Sequence, residues 1–463
     1  MSGWLGVRAA PGQQRAVGRG GACWQGALRF GACLCLGLAL GVALPAAADT
    51  AHLRGFGPRA LALAGSTEAE SVGADVVYEN PAQLAGLPTL QAGLGAMVTL
   101  PAYRVEQLRG AEAFPALRPQ SRVLGQLAVA SPLQGVLGGR LGVGGFLHLP
   151  VDGATRVLSH EPRRPQLPLV EALDDRLLLG LGVGARLLPG LEVGVTAQLL
   201  ASLQGQTTVD LSALRGEIDE QVLEVDLWSR VTFAVGVRYA LRHDLRLALV
   251  VRQASEVPYH LPLRADVAEL GQVHYRVSGV GMGAPWTAAL AGRWAPRERL
   301  MLLASVRYER WSAMPPLGPS VVVTADDAAL AGDPSAAKAL AQMASVPVAM
   351  GAKDIVQVRA GGEWQALRWL TLRAGAGIRP TPLPRATGTA KYLDGPSVTA
   401  ALGAGLVLWR LPAGAPGLLL DVGASVAHLP RRTALSRASD DPVGGTSVEG
   451  QGWTLAAGLR HAL

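Results

Sequence analysis

Cysteine is almost missing from this 463-residue chain: there are three, Cys23, Cys33 and Cys35, all near the N-terminus. Everything beyond residue 35 is without thiols, which excludes disulfides, cysteine metal ligands and cysteine nucleophiles there together. Charge is sparse as well. Asp, Glu, Lys and Arg make up 17% of the residues, against ~25% in an ordinary soluble domain. The net charge of +7 falls to about +3 once the four arginines of the first 48 residues are set aside. That is too little to hold a polyanion, so no nucleic-acid partner is expected. Past the N-terminal segment no run reaches the ~18–20 uninterrupted apolar residues of a membrane helix. There is no Gly-x-Ser-x-Gly elbow, and the eight histidines are scattered without metal-ligand spacing. No metal, no cofactor and no catalysis is expected.

What is abundant is glycine, 58 residues, in a chain of positive mean hydropathy. Residues 1–48 read as a cleaved signal peptide. Arg8, Arg15, Arg19 and Arg29 form a basic stretch, Ala32–Leu44 an apolar run, and Pro45-Ala46-Ala47-Ala48 a small-residue cleavage site before Asp49. Such a leader places the mature chain outside the cytoplasm.

From about Leu90 onward the dominant period is two. In Trp369–Arg379, Leu370, Leu372, Ala374, Ala376 and Ile378 share one face, while Thr371, Arg373, Gly375, Gly377 and Arg379 share the other. The same alternation marks Arg176–Leu187, Leu191–Leu203, Arg230–Leu241, Leu245–Arg252, Leu300–Trp311, Ile355–Trp364, Ser397–Trp409, Leu418–Ala427 and Trp453–Leu463. Alternation of this kind predicts strands. An apolar face opposite one of Gly, Ala, Thr and Arg describes a transmembrane barrel, the only sheet that can satisfy its backbone in lipid. Short links such as Leu188-Pro189-Gly190 and Arg242-His243-Asp244 alternate with long ones: Pro150–Asp175, Gln204–Leu227, Ser255–Gly271, Ser312–Asp354, Pro380–Gly395 and Pro430–Gln451. Gln272–Trp294, with Gly281-Met282-Gly283-Ala284-Pro285 inside it, is read as one long bent strand. The count is then fourteen, an even number as single-chain bacterial barrels require. The predicted fold is all-β: a 14-stranded antiparallel transmembrane β-barrel over residues 89–463 in a Gram-negative outer membrane, with outer-membrane lipid around it.

The inward face carries Arg186, Glu192, Arg238, Arg252, Arg307, Glu309, Arg359, Glu363, Arg373, Asp421 and Arg460. Most of these are expected to pair with one another. Gly180-Leu181-Gly182-Val183-Gly184 imitates a phosphate loop, but it lies inside a strand with no following helix. Trp294, Trp311, Trp369, Trp409 and Trp453 fall near strand ends, where a thin aromatic girdle is expected. The last strand, with Trp453, Leu455, Leu459 and Leu463 on one face and Gly458 near its end, resembles the signal read by the barrel-insertion machinery, although that signal usually ends in Phe.

Before the first strand stand Gly55-Phe56-Gly57-Pro58-Arg59-Ala60 with Ala64-Gly65, and then Asn80-Pro81-Ala82-Gln83-Leu84. These are similar to the start motif and the end of the N-terminal region of the FadL/TodX family, outer-membrane transporters of long-chain fatty acids and aromatic hydrocarbons, which this segment resembles. Trp311-Ser312, Leu372-Arg373-Ala374-Gly375 and Pro380–Pro384 continue the resemblance through the barrel. It implies that residues 49–88 fold inward as an N-terminal hatch, with Gly57, Arg59, Gly65, Asn80, Pro81 and Ala82 as its motif. It also implies a ligand pocket and a sideways exit through a kinked third strand, for which Gly144 and Gly145 are the candidates. A plug makes sense without the family too, because a fourteen-strand lumen leaks unless filled. Arg307, Arg359 and Arg373, from neighbouring strands, are the candidates for holding a ligand carboxylate. The expected function is passive uptake of hydrophobic small molecules, long-chain fatty acids or similar. A structural or secretion-assembly barrel without transport, and an outer-membrane lipase or protease, are the alternatives.

Overall fold

The computed structural model describes residues 54–463 apart from 110–113, 115–116, 118, 137, 152–162, 172–176, 213–216, 268–270, 326–346, 411–415, 437–440 and 442. The signal peptide expected over 1–48 lies outside the described residues.

Among the described residues, seventeen strands make one sheet. The first half comprises β1 (Gln91–Arg109), β2 (Arg122–Pro132), β3 (Leu141–Pro150), β4 (Leu178–Leu188), β5 (Leu191–Ser212), β6 (Glu217–Ala240), β7 (Leu245–Arg252), β8 (Ser255–Val267) and β9 (Gly271–Ala284). The second half comprises β10 (Trp286–Arg297), β11 (Leu300–Arg310), β12 (Gly318–Ala325), β13 (Ile355–Leu367), β14 (Leu370–Arg379), β15 (Ser397–Arg410), β16 (Pro416–Ala434) and β17 (Gly445–Ala462). All but β8, β9 and β12 close into a ring of fourteen antiparallel strands, with β1 paired to β2 on one side and β17 on the other. The ring passes from β7 to β10 and from β11 to β13.

The wall is apolar outside and polar inside. Leu94, Leu290, Leu402 and Ile378 stand exposed on the outer face, while Arg359, Glu309 and Asp421 are buried within. Water could not support an outward band of this kind, whereas lipid can. No helix of the described residues is long and apolar enough to cross a membrane. Trp294, Trp364, Trp369 and Trp409 are exposed near the short-turn end. Trp311 departs from the expected girdle. It is buried among Leu169, Leu317, Met350 and Tyr392, and its Nε1–H donates to Glu309 Oε2 at 2.7 Å.

Two links read as long loops are strands. The β5–β6 ladder runs on from Leu191↔Tyr239 to Ser212↔Glu217, and Ser255–Val267 is β8, paired with β9. Period-two alternation runs on through these parts, as Leu223, Val225 and Leu227 of β6 and Val257, Tyr259, Leu261 and Leu263 of β8 show, but the charged residues and prolines between them give the links the composition of loops. The long bent strand is real in outline: β9 and β10 are separated by Pro285 alone, a residue without an N–H for a ladder. The portion before Pro285 leaves the ring to pair with β8 and β12.

Inside the ring lies the N-terminal segment. It is built of short turns: α1 (Gly57–Ala62), a 3₁₀ turn at Gly73–Asp75, α2 (Val76–Glu79) and a second 3₁₀ turn at Pro81–Gly86. Pro58 sits at the first turn of α1, where a missing N–H costs nothing. Gly65, at φ +74°, takes the chain out of α1 in a conformation that other residues resist. Asn80 caps the last turn, its Oδ1 accepting from Ala82 N at 3.1 Å, while its Nδ2 donates to Glu68 O at 2.8 Å. Leu61, Leu63, Val77, Tyr78 and Leu84 are almost wholly buried.

The glycines of the inward face explain how the segment fits. A Cβ at Gly236 would stand 2.0 Å from Asn80 Oδ1, at Gly194 2.3 Å from Pro81 C, and at Gly142 2.0 Å from Leu84 O. Across the lumen, a Cβ at Gly375 would meet Leu63 C, and one at Gly423 Pro58 O, each at 2.4 Å. Gly182 and Gly184 of the loop-like run press on the same segment. The wall is stripped of side chains where the segment's backbone touches it.

Gly144 and Gly145, read from the sequence as a wall opening, lie in regular ladders. β3 pairs without a register shift both with β2, from Gly142 to Pro150, and with β4, from Leu141 to His148. The wall is continuous there. Gly144 instead makes room for Val77, whose Cγ2 lies 2.5 Å from where a Cβ would be. Gly236→Val should therefore leave a folded, heat-modifiable barrel but dislodge the N-terminal segment, read as faster limited proteolysis of residues 54–87. Gly292→Val, where the nearest atom to a Cβ is 3.8 Å away, should change nothing.

Candidate functional site

Two systems fill the lumen: a set of ion pairs that ties the N-terminal segment to the wall, and a cavity above that segment. The ion pairs form a chain. Arg59 grips Glu363 with both forks, Nε to Oε1 at 2.8 Å and Nη2 to Oε2 at 2.7 Å. Glu363 also takes Arg373 Nε at 2.5 Å, Arg373 Nη1 reaches Asp421 at 2.6 Å, and Asp421 takes Arg460 Nε at 2.5 Å. Nearer the short-turn end, Glu192 lies between Arg186 and Arg238, and Glu70 of the segment between Arg238 and Arg246. Alternate positions of adjacent strands face the lumen together, so inward charges of opposite sign meet as neighbours. The expected internal ladder is present, and the segment is part of it.

Arg307, Arg359 and Arg373 do come together on one side of the lumen, but each is engaged. Arg307 Nη2 binds Glu68 Oε1 of the segment at 2.6 Å. Arg359 donates to Gly65 O at 3.1 Å and to Gln357 Oε1 at 2.7 Å. Arg373 bridges Glu363 and Asp421 as above. These side chains hold the segment and the ladder. Of the motif residues, Arg59 and Asn80 make bonds, Gly57 and Gly65 supply positive φ, and Pro81 and Ala82 form the turn against β5.

Apolar packing completes the seat. Phe56 stacks on Tyr78, and Phe146 meets both edge-on, with ring centroids 5.2–5.4 Å apart, and the Arg252 guanidinium lies 4.5 Å above the Tyr78 ring. Asp75 is buried beside Gly57 and Gly93. Burial pushes its carboxyl up to about 7, with Glu79 and Asp421 adding to the rise and Arg460 and Arg59 opposing it.

The cavity, of about 220 Å³, lies on the long-loop side of the segment. Leu61 and Ala64 of the segment form its floor. Thr99 and Tyr103 of β1, Gln357, Arg379, Thr399, Ser425 and Thr454 form its wall, and Leu169, Val170, Asp394 and Leu429 close it from above. Leu169 and Val170 belong to a short helix, α3 (Pro168–Glu171), inside the long link after β3. The sequence reading passed over these roof residues. Their signal was a small apolar cluster, Leu167–Val170, in an otherwise polar link. Among the described residues, no group of three or more His, Cys, Asp or Glu is placed to hold a metal ion.

A family model described as outer membrane protein transport protein (OMPP1/FadL/TodX) matches residues 172–461. Solved structures share the fold at low identity. A Pseudomonas aeruginosa FadL homologue is 14% identical at a TM-score of 0.55, covering 90% of this chain and 99% of its own. The P. putida toluene transporter TodX is 15% identical at 0.56, covering 89% and 99%. The Ralstonia pickettii toluene transporter TbuX is 14% identical at 0.51, covering 88% and 99%. No curated protein matches the chain.

Removing one member of a buried ion pair leaves the other charge uncompensated, at about 3–5 kcal/mol. Glu68→Ala should therefore lower the unfolding midpoint in denaturant sharply, and Glu68→Met with Arg307→Met should recover most of the loss. Asp75 gives a pH signature. Its folded pKa lies above the ordinary carboxylate value, so its contribution is complete at acid pH and is lost as pH rises towards and through about 7. Proteolysis of the segment should quicken between about pH 5 and about pH 8, and Asp75→Asn should flatten that dependence.

Proposed function

Since this chain belongs to the OMPP1/FadL/TodX family of outer-membrane transport proteins, we propose that it is a passive channel that takes small hydrophobic molecules inward from the long-loop face. The observation that carries this is the cavity. Beyond the N-terminal segment the lumen holds a partly enclosed space with an apolar floor of Leu61 and Ala64. A space of ~150 Å³ in an apolar core is known to hold benzene, so about 220 Å³ accommodates a single ring with its substituents. An extended chain of a dozen or more carbons would protrude from it. Single-ring solutes, the class named for the toluene transporters, suit this cavity better than long-chain acids do.

Exit sideways into lipid is the route that physical chemistry favours for such solutes. Each buried CH₂ is worth roughly 0.8 kcal/mol, and release into water would carry that penalty back. With β3 paired on both sides through Gly144 and Gly145, sideways release needs a wall ladder to part, or the segment to shift. The outward apolar face would sit against outer-membrane lipid, and β17, with Trp453, Leu455 and Leu459 outward, is the strand the insertion machinery would read.

Expression in a strain lacking such channels should raise the initial uptake rate of radiolabelled toluene at least severalfold over an empty vector, without an energy source, and leave uptake of a disaccharide unchanged. Equal uptake of both solutes would mean a general pore, and no gain for either would overturn the channel reading.

A further inference from the structure

The short-turn end of the lumen, which faces the periplasm in a barrel of this kind, holds a second cavity, of about 520 Å³. It lies on the other side of the N-terminal segment from the first. Gly86 of the segment lines it, with Arg140, Arg186, Glu192, Arg238 and Arg246 of the wall. The ladders bring these charges together. β3 and β4 pair up to Leu141↔Ala185, and one step further Arg186 N donates to Arg140 O at 2.8 Å, so the two arginines stand opposite each other. The register continues as Arg186↔Glu192 and Glu192↔Arg238. Arg246 is opposite Ala240, two residues beyond Arg238 on the same face. Like charges directly opposite on adjacent strands are destabilising, and the carboxylates here are too few to cancel them. Glu192 is divided between Arg186 at 3.0 Å and Arg238 at 2.5 Å, and Glu70 of the segment between Arg238 at 3.4 Å and Arg246 at 2.7 Å. Arg140 is exposed, lines the cavity and makes no ion pair among the described residues. Four guanidinium groups thus share two carboxylates, which leaves two positive charges over in one concave space.

We propose that this mouth is a binding site for a compact polyvalent oxyanion of the phosphate class, received among Arg140, Arg186 and Arg238. Guanidinium forks match phosphate oxygens in pairs, and a cleft lined by one sign of charge concentrates counter-ions. An anion with two negative charges offsets the whole surplus and sets an attraction against the Arg140–Arg186 repulsion, whereas a simple carboxylate offsets half. The ligand comes from solution rather than from lipid, because these arginines share the lumen face with Gly142 and Gly184, where a Cβ would run into Leu84 O and Pro81 O of the segment. Arg186 also donates to Ala85 O at 3.4 Å, and Arg238 to Gln83 Oε1 at 3.2 Å, so an anion seated here braces the inner end of the segment. The site is separate from the solute cavity and independent of what the channel carries.

Calorimetric titration of the purified full-length barrel in detergent with sodium pyrophosphate, at an ionic strength held constant with sodium chloride, tests this. Saturable binding of pyrophosphate is expected, and none of acetate under the same conditions. Arg140→Ala removes an exposed side chain, so the variant should keep heat-modifiable gel mobility while binding pyrophosphate at least fivefold more weakly. Arg140→Lys, which keeps the charge and loses the fork, should fall between the two. Arg431→Ala, at an exposed arginine of the long-loop end, should stay within twofold of the natural chain. No saturable binding of pyrophosphate, or acetate bound as tightly, overturns the inference. So does an unchanged affinity in a folded Arg140→Ala, or an equal loss in Arg431→Ala. Dihexanoyl phosphatidate bound more tightly than pyrophosphate would assign the arginines to a lipid and overturn the soluble ligand. In each of these cases the channel reading stands. If Arg140→Ala fails to fold, the natural chain's preference for pyrophosphate over acetate and the lysine variant still decide.

Discussion

β1 pairs with β17 from Gln91↔Ala462 to Arg109↔Gly445, and this ladder turns a sheet into a ring. In lipid the requirement behind it has no alternative. An unpaired backbone N–H or C=O in hydrocarbon costs several kcal/mol, and an open edge would present a whole row of them. Closure in turn dictates the rest. A ring of fourteen strands has two faces of opposite chemistry and an interior too wide for its own side chains to fill. The outward side chains answer to lipid, and the inward ones must be matched to something else.

That something is the N-terminal segment, matched in two ways. Where its backbone comes nearest, at Asn80–Pro81 and at Leu63, the wall carries glycine: Gly236, Gly194 and Gly375. Where its charged side chains point, the wall carries the opposite charge, as in Arg59 with Glu363 and Glu68 with Arg307. Buried ion pairs add little net stability over apolar packing, but they punish every mismatch heavily. A seat made of glycine clearances and charge pairs therefore specifies one position for the segment more than it strengthens the barrel. The cavity inherits its floor from that position.

Much of this was legible in the residues. Strand faces followed from alternation because lipid enforces it, and Leu372, Ile378, Val398 and Leu402 stand outward as Trp369–Arg379 and Ser397–Trp409 implied. The strand number also survived, although β9 turned out to leave the ring. What failed did so where lipid has no say. The outer parts of β5, β6 and β8 do alternate, as Val257, Tyr259, Leu261 and Leu263 of β8 show, but charged residues and prolines such as Pro258 and Pro262 stand between the apolar ones and gave those parts the look of loops. The role of Gly144 depended on Val77, a residue far away in sequence whose proximity no periodicity encodes. Arg307, Arg359 and Arg373 were rightly placed on one side of the lumen, but only the folded segment reveals that their charges are already matched.

The energetic contrast among the cavity's boundaries bears on direction. Its floor is held by glycine-close backbone contact and by fully buried ion pairs. Its wall is laddered sheet, in which each backbone hydrogen bond is worth ~4–6 kcal/mol in an apolar medium. Its roof, Leu169, Val170, Asp394 and Leu429, rests on a small apolar cluster in which Leu167, Ala386 and Leu393 of the links pack against Leu429 of β16 and Val448 of β17. Separating such a cluster costs only the transfer of its few side chains to water, about 1.5–3 kcal/mol for each large one. The roof is the cheapest boundary to open, so exchange with the outside is the easy step. Inward passage has to draw on a wall ladder or on the seat of the segment. A molecule that binds in the cavity and does nothing else would return the way it came. Net uptake therefore has to be set by whichever of the two firmer boundaries yields first, and the continuous pairing of β3 removes the opening that would otherwise have made the wall the obvious one.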